Sequence, residues 1–179
     1  LSAMASNLGV SEKTLQNPFM KNSTSFLRLN YYPSQPNSNS SKDSNLFGVN
    51  EHTDAGAITL LSMDEKPGLE IKHENIWQPV KHIEGALLVN LGDIFQVWSN
   101  DRYKAALHRV KASKNEARFS APFFLNPSYQ TNYQPLNMTY TASNSPKYKP
   151  INWGDFRRQR ARGDFADYGK EIQISDFRT

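Results

Sequence analysis

Apolar residues follow two different rhythms along this chain. Leu1, Met4, Ala5 and Leu8 fall on one helical face and Gly9 supplies a stop, so the chain opens inside an amphipathic helix. From residue 25 the period shortens to two. Ser-Phe-Leu-Arg-Leu-Asn-Tyr-Tyr (25–32) alternates apolar and polar and predicts a strand closed by Pro33. Further short apolar or alternating runs are bounded by turn residues such as Pro67-Gly68, Gly92-Asp93 and Ser99-Asn100-Asp101. They predict strands at 57–62, 69–72, 77–80, 86–90, 95–98, 105–111 and 117–125. Residues 34–45 are rich in Ser and Asn and predict a solvated loop. Residues 129–150 lack periodicity and read as loop. Helical character returns from Trp153 to about Arg162, with Asn152 as its N-cap. The polar stretch 163–179 is expected to wrap back over the body.

The expectation is one mainly β domain over 1–179. It has a leading helix and linker (1–24), a β core (25–128) and a C-terminal loop and helix (129–179). Many short strands at regular spacing predict a barrel or sandwich, and 179 residues are enough for one core.

Composition narrows the possibilities. The chain has no cysteine, which excludes a disulfide scaffold, a Cys-ligated zinc site and a thiol nucleophile. It also fits a reducing compartment, and a cytoplasmic location is expected. The net charge is only +4. Basic residues concentrate at Arg157-Arg158-Gln159-Arg160-Ala161-Arg162, but Asp155, Asp164 and Asp167 stand beside them, so the run reads as a solvated helix face. No nucleic-acid motif accompanies it, and no nucleic-acid partner is expected. No apolar run approaches the ~20 residues of a membrane span, so no membrane partner is expected either. The chain begins with Leu1 inside a helical stripe, which reads as a fragment of something longer.

The polar residues that interrupt the strands carry the chemistry. In His52-Thr53-Asp54 the outer two side chains share one face of a strand. His108, in Ala-Ala-Leu-His-Arg-Val, offers a third donor from another strand. Two imidazoles and a carboxylate make a facial triad with open positions, a donor set that suits Fe(II) and O2. The chain has four histidines. His73 and His82 stand among Lys72, Glu74, Lys81 and Glu84 and read as surface residues. Arg118 and Ser120 again share a strand face, ten and twelve residues after His108 and about one hairpin away. An Arg fork with a neighbouring hydroxyl forms a clamp for a carboxylate co-substrate.

These residues sit in longer motifs: Leu-Arg-Leu-Asn-Tyr-Tyr-Pro (27–33), Glu-His-Thr-Asp-Ala-Gly (51–56), Leu-Val-Asn-Leu-Gly-Asp (88–93), Gln-Val-Trp-Ser-Asn (96–100), Leu-His-Arg-Val (107–110) and Arg-Phe-Ser-Ala-Pro-Phe-Phe (118–124). In these the chain closely resembles the Fe(II)/2-oxoglutarate-dependent dioxygenases, in the plant-type, isopenicillin-N-synthase-like branch. The resemblance implies a double-stranded β-helix, or jelly roll (cupin-like), with flanking helices at the N-terminal end and near the C-terminus. It implies iron on His52, Asp54 and His108, and the distal carboxylate of 2-oxoglutarate on Arg118 and Ser120. Tyr32 matches a tyrosine that hydrogen-bonds the co-substrate, Asn30 a polar residue near the iron, and Phe124 an aromatic that faces a small-molecule substrate. The implied reaction consumes 2-oxoglutarate and O2 and hydroxylates or desaturates that substrate.

The chain departs from the family pattern in three places. The stretch after Tyr-Tyr-Pro is Ser/Asn-rich where the family is Pro-rich. Asp101 stands where the turn usually has Gly. The family's N-terminal region, which flanks the barrel, is lacking. Three rival readings stay open at this point: a 2-oxoglutarate-independent oxidase of the same fold, a zinc hydrolase on the same ligands, and a catalytically silent jelly-roll binding module.

Overall fold

The computed structural model describes residues 1–34, 47–113, 115–141, 144–166 and 171–179, and within these every side chain except those of 138 and 162–166. The Ser/Asn-rich stretch 34–45 therefore lies outside the described residues, apart from Ser34.

Two helices open the chain, α1 (Ser2–Leu8) and α2 (Glu12–Met20). Gly9 ends α1 at φ 70°, and its N–H returns to the carbonyls of Ala5 and Ser6. The second helix lies in what reads as linker. Its start signal is Ser11, whose hydroxyl accepts from the Thr14 N–H.

The strands are β1 (Phe26–Leu27), β2 (Asn30–Tyr32), β3 (Phe47–His52), β4 (Ile58–Met63), β5 (Leu69–His73), β6 (Ile76–Pro79), β7 (Leu88–Leu91), β8 (His108–Lys111) and β9 (Arg118–Leu125). They form two antiparallel sheets. The larger runs β1-β9-β4-β7, with β2 also on β9, and the smaller runs β3-β8-β5-β6. The sheets face each other across a cavity lined from both sides, the jelly-roll arrangement. Successive strands change sheet at each of the connections β3–β4, β4–β5, β6–β7, β7–β8 and β8–β9. Arg118 on β9 is therefore not a hairpin away from His108 on β8. It stands on the opposite wall, which is how two short segments come to address one cavity from both sides.

Two of the expected strands need correction. The strand expected at 25–32 is interrupted between β1 and β2, although both keep one register against β9 (Leu27 opposite Phe123, Asn30 opposite Ser120). The cause is Pro122, which accepts from the Arg28 N–H at 3.0 Å but has no N–H to return. The strand expected at 95–98 is instead part of helix α3 (Asp93–Trp98). Ile94, Phe95, Val97 and Trp98 are all buried, so no face was left polar, and a short apolar run of this kind fits helix and strand equally.

After β9 come a short ladder of β10 (Asn132–Tyr133) with β11 (Ile151–Asn152), and helix α4 (Trp153–Ala166). Asn152 caps α4 as expected, its side-chain oxygen accepting from the Asp155 N–H at 3.1 Å. The arginine run is not a uniform solvated face. Trp153, Phe156 and Arg160 are spaced as one helical stripe, and all three are buried. Arg158 is exposed, while the side chain of Arg162 lies outside the described set. The apolar core gathers here rather than between the sheets. It joins Ala5 and Leu8 of α1, Leu15 of α2, Phe95 and Trp98 of α3, and Trp153 and Phe156 of α4. The space between the sheets is left for the cavity.

Asp101, the departure in the turn after α3, has φ 70°, a left-handed position that Asp tolerates better than most residues. Its carboxylate accepts from Gln96 at 3.0 Å, Tyr148 at 2.5 Å and Arg178 at 2.9 Å, which ties the C-terminal end to the turn. Among the described residues no helix is long and apolar enough to cross a membrane.

Candidate metal centre and its cavity

His52 ends β3 and His108 begins β8, and the two are direct cross-strand partners. Their rings lie 4.2 Å apart, centroid to centroid. Two irregularities in the β3 ladder bring this about. Continuing the Phe47–Lys111 pairing without interruption would set Asn50, not His52, opposite His108. Asp54 lies two residues past His52, beyond the end of the strand. Its Oδ1 is 3.7 Å from Nε2 of His52 and 3.7 Å from Nε2 of His108. One donor atom from each residue falls within 4.8 Å of the others, a spacing that one metal ion can bridge.

The outer contacts orient all three donors. Nδ1 of His52 lies 2.8 Å from the Asn50 carbonyl and Nδ1 of His108 lies 2.9 Å from the Ala106 carbonyl. A carbonyl only accepts, so each Nδ1 carries the proton and each Nε2 keeps its lone pair for the centre. Burial, and then the neighbouring His108, hold the His52 imidazole below the ordinary histidine value, which keeps it neutral and available to a metal. On Asp54, Oδ2 accepts from Thr59 Oγ1 at 2.7 Å and Asn90 Nδ2 at 2.7 Å, which leaves Oδ1 for the centre.

Thr59 and Asn90 were not singled out in the sequence. Thr59 interrupts the apolar run 58–61 and Asn90 the run 88–91, and a polar side chain placed there needs a partner. That was the available signal.

The other expected residues line the same cavity, which encloses about 760 Å³ of empty space including its open mouth. Arg118, on β9, is 2% exposed. Among the described residues its Nε and Nη1 have no hydrogen-bond partner, and Nη2 reaches only the Met63 sulfur at 3.8 Å. The Tyr32 ring lies beneath the guanidinium, 5.3 Å from centroid to Cζ. That ring needs Gly48, where a Cβ would come within 2.5 Å of it. Ser120 is buried beside Arg118, and Asn30 donates to its Oγ at 3.3 Å. Phe124 stacks on Phe26 at 4.9 Å and carries Arg28 over its ring at 5.4 Å. His73 and His82 are exposed, as expected.

A buried, unpaired cation and a three-donor cluster thus open into one space. The donors fit Fe(II) in number and kind, and the vacant N–H groups of Arg118 fit a carboxylate.

Residues 23–127 match the family model of the 2OG-Fe(II) oxygenase superfamily. Gibberellin 2-beta-dioxygenase 8 of Arabidopsis thaliana is 34% identical over 173 residues, covering 94% of this chain and 48% of the relative. Jasmonate-induced oxygenase 1 of the same organism is 33% identical, covering 88% of this chain and 38% of the relative. The chain thus spans about half or less of the length of these relatives. Among solved structures, JOX2 in complex with 2OG, Fe and JA superimposes with TM-score 0.79 at 34% identity, over 87% of this chain and 45% of that one. The dioxygenase for auxin oxidation in rice gives TM-score 0.78 at 26% identity, over 98% of this chain and 56% of that one. The jelly roll, the two-histidine, one-aspartate cluster and these likenesses agree, and the chain belongs to the 2OG-Fe(II) oxygenase superfamily.

Proposed function

We propose that the protein is a non-haem Fe(II)- and 2-oxoglutarate-dependent oxygenase, and that this chain carries its metal and co-substrate sites. The observation that carries this reading is Arg118: a cation almost wholly removed from water, with two nitrogens that have no partner among the described residues, in the same cavity as the metal cluster. A buried unpaired guanidinium is costly unless an anion completes it.

In this reading His52, Asp54 and His108 hold iron on one side and leave its remaining positions to small ligands. The Asn50 and Ala106 carbonyls keep both imidazoles aimed. Thr59 and Asn90 restrict Asp54 to one donor oxygen. Arg118 takes the far carboxylate of 2-oxoglutarate. Because Asn30 donates to Ser120 Oγ, the Ser120 hydroxyl proton remains available to the same carboxylate. Tyr32 flanks the co-substrate, and Phe124 faces the substrate. When bound, iron and 2-oxoglutarate supply the oxidative chemistry: O2 is consumed, the keto acid becomes succinate and CO2, and a small organic substrate is hydroxylated or desaturated. The apolar walls exclude water from that step. A cysteine-free chain accords with a reducing compartment such as the cytoplasm, where ferrous iron persists.

Anaerobic titration of the Fe(II)-loaded protein with 2-oxoglutarate tests this. A visible charge-transfer band is expected for the chelate, and succinate release in air is expected to require added 2-oxoglutarate. Oxidation of substrate with neither band nor succinate would favour the 2-oxoglutarate-independent oxidase.

A further inference from the structure

Two of the three donors sit in the small sheet, where the β3–β8 ladder sets their positions. Asp54 follows the strand and lies outside that ladder. Its side chain is secured through Oδ2 by Thr59 and Asn90. Its backbone is secured from a different direction. The Asp93 N–H, at the start of α3, donates to the Asp54 carbonyl at 2.8 Å. Arg160, on α4, donates from Nη2 to the Thr53 carbonyl at 2.9 Å. Arg160 and Asp93 are joined to each other by an ion pair, Nη1 to Oδ2 at 2.9 Å, in which both side chains are at most 3% exposed. The peptides on both sides of Asp54 are therefore gripped by two residues that grip one another. Arg160 is held in turn from the C-terminal segment, by Glu171 at 2.5 Å and Gln173 at 3.1 Å.

We infer that Arg160 is a positioning residue of the metal centre: by holding the Thr53 carbonyl it fixes the Thr53–Asp54 peptide, between the ligands His52 and Asp54, and it makes α4 and the C-terminal segment part of the metal site. The inference rests on the reading of His52, Asp54 and His108 as metal ligands. The fork of Arg is what the position demands. One guanidinium reaches a carbonyl, a buried carboxylate and two further oxygens in different directions, which a Lys ammonium on the same helix does not. A purely structural role, as a buried ion pair that joins α3 to α4, predicts lost stability and nothing more. A positioning role predicts weaker metal binding by protein that is still folded.

The test is anaerobic Fe(II) titration of the full chain and three variants, well below each melting temperature, with folding checked by circular dichroism. Arg160→Gln removes the contact to Thr53 and breaks the ion pair. The double variant Arg160→Leu with Asp93→Asn removes the contact without leaving a lone buried charge, so it keeps the test valid if the single variant fails to fold. Asp93→Asn alone spares the Arg160–Thr53 contact and its own N–H. Both Arg160 variants are expected to bind Fe(II) about 10-fold more weakly. Asp93→Asn is expected to stay within about 3-fold of the unaltered chain, whatever its melting temperature. The Fe(II)/2-oxoglutarate band is expected to shift only when Arg160 is replaced. Unaltered affinity in the Arg160 variants, or an equal loss in Asp93→Asn, overturns the inference alone. Failure of the unaltered chain to bind Fe(II) overturns the ligand reading and the inference with it.

Discussion

The two sheets of the jelly roll are finished differently. The small sheet carries His52 and His108 on its inner face, and its outer face is completed by its own side chains. Arg109 lies 4.0 Å from the centroid of Trp77 and 5.0 Å from that of Phe47, and it pairs with Glu70 at 2.7 Å, while Lys111 takes the other Glu70 oxygen at 2.8 Å. The large sheet carries Arg118, Ser120, Asn30 and Tyr32 inside, and its outer face is apolar and open. Leu27 is 59% exposed, Tyr31 60%, Phe119 57% and Val89 58%. The difference teaches that, on the proposed assignment, two of the three metal donors and the co-substrate residues stand on opposite walls, while Asp54 bridges them, tied to the large sheet through Thr59 and Asn90. Among the described residues, the outer side of the small sheet is covered by its own charged and aromatic side chains, and that of the large sheet is not.

The largest effects should come from the metal cluster. His52→Ala or Asp54→Ala is expected to take Fe(II) stoichiometry from one per chain to none, measured by anaerobic equilibrium dialysis; retained iron would remove those residues from the ligand set. Arg118→Met addresses the opposite wall. It is expected to weaken 2-oxoglutarate binding about 100-fold, as loss of a charge-assisted clamp does, while Fe(II) affinity holds. The same substitution should raise the melting temperature of the ligand-free protein, because it removes a buried cation with unsatisfied N–H groups. Added 2-oxoglutarate should stabilise only the protein that keeps Arg118. Loss of both ligands together would break the division between the walls.

A smaller effect concerns acid stability at Asp93, whose N–H holds the Asp54 carbonyl. Burial pushes the Asp93 carboxyl up to about 6, against the pull of Arg160. Asp ionises near 3.9 in the unfolded chain. As pH rises between these values, the unfolded state loses its proton first, and folding stability falls. Relative to Asp93→Asn, the metal-free protein should thus lose stability from about pH 4 to about pH 6 and change little above it. Thermal melts across that range check the sign, and a gain in place of the loss would mean that the ion pair outweighs burial. Smallest of all, Arg109→Ala should lower stability by about 1 kcal/mol, through lost stacking on Trp77 and the lost pair with Glu70, with Fe(II) and 2-oxoglutarate affinities unchanged.

Most of the strands were legible because their alternation is local: β4, β5, β6, β7 and β9 lie within a few residues of the runs that predict them. Arg118 and Ser120 were legible for the same reason, since period-two logic pairs them whatever the sheet order, whereas Asn30, Tyr32 and Phe124 came from the family resemblance and Asp54 lies past the strand that was expected to carry it. What the chain order hides is which wall a strand joins, and so β8 and β9 read as a hairpin although they lie in different sheets. Helix α3 was misread because its buried residues leave no polar face to give the period. Arg160 was hidden by its neighbours: three other arginines in the run drew the reading towards solvent, although its spacing from Trp153 and Phe156 already marked it as inward. Thr59 and Asn90 were visible as polar residues among apolar ones, but their shared partner, Asp54, is a tertiary fact.

The facing of His52 and His108 has a consequence for assembly. Their partnership exists only in a β3–β8 alignment that includes both extra residues of β3. An uninterrupted alignment would present Asn50 to the second imidazole. With iron on the proposed ligands, a chain paired out of step would lack one donor, so metal binding would favour the observed register over the slipped one.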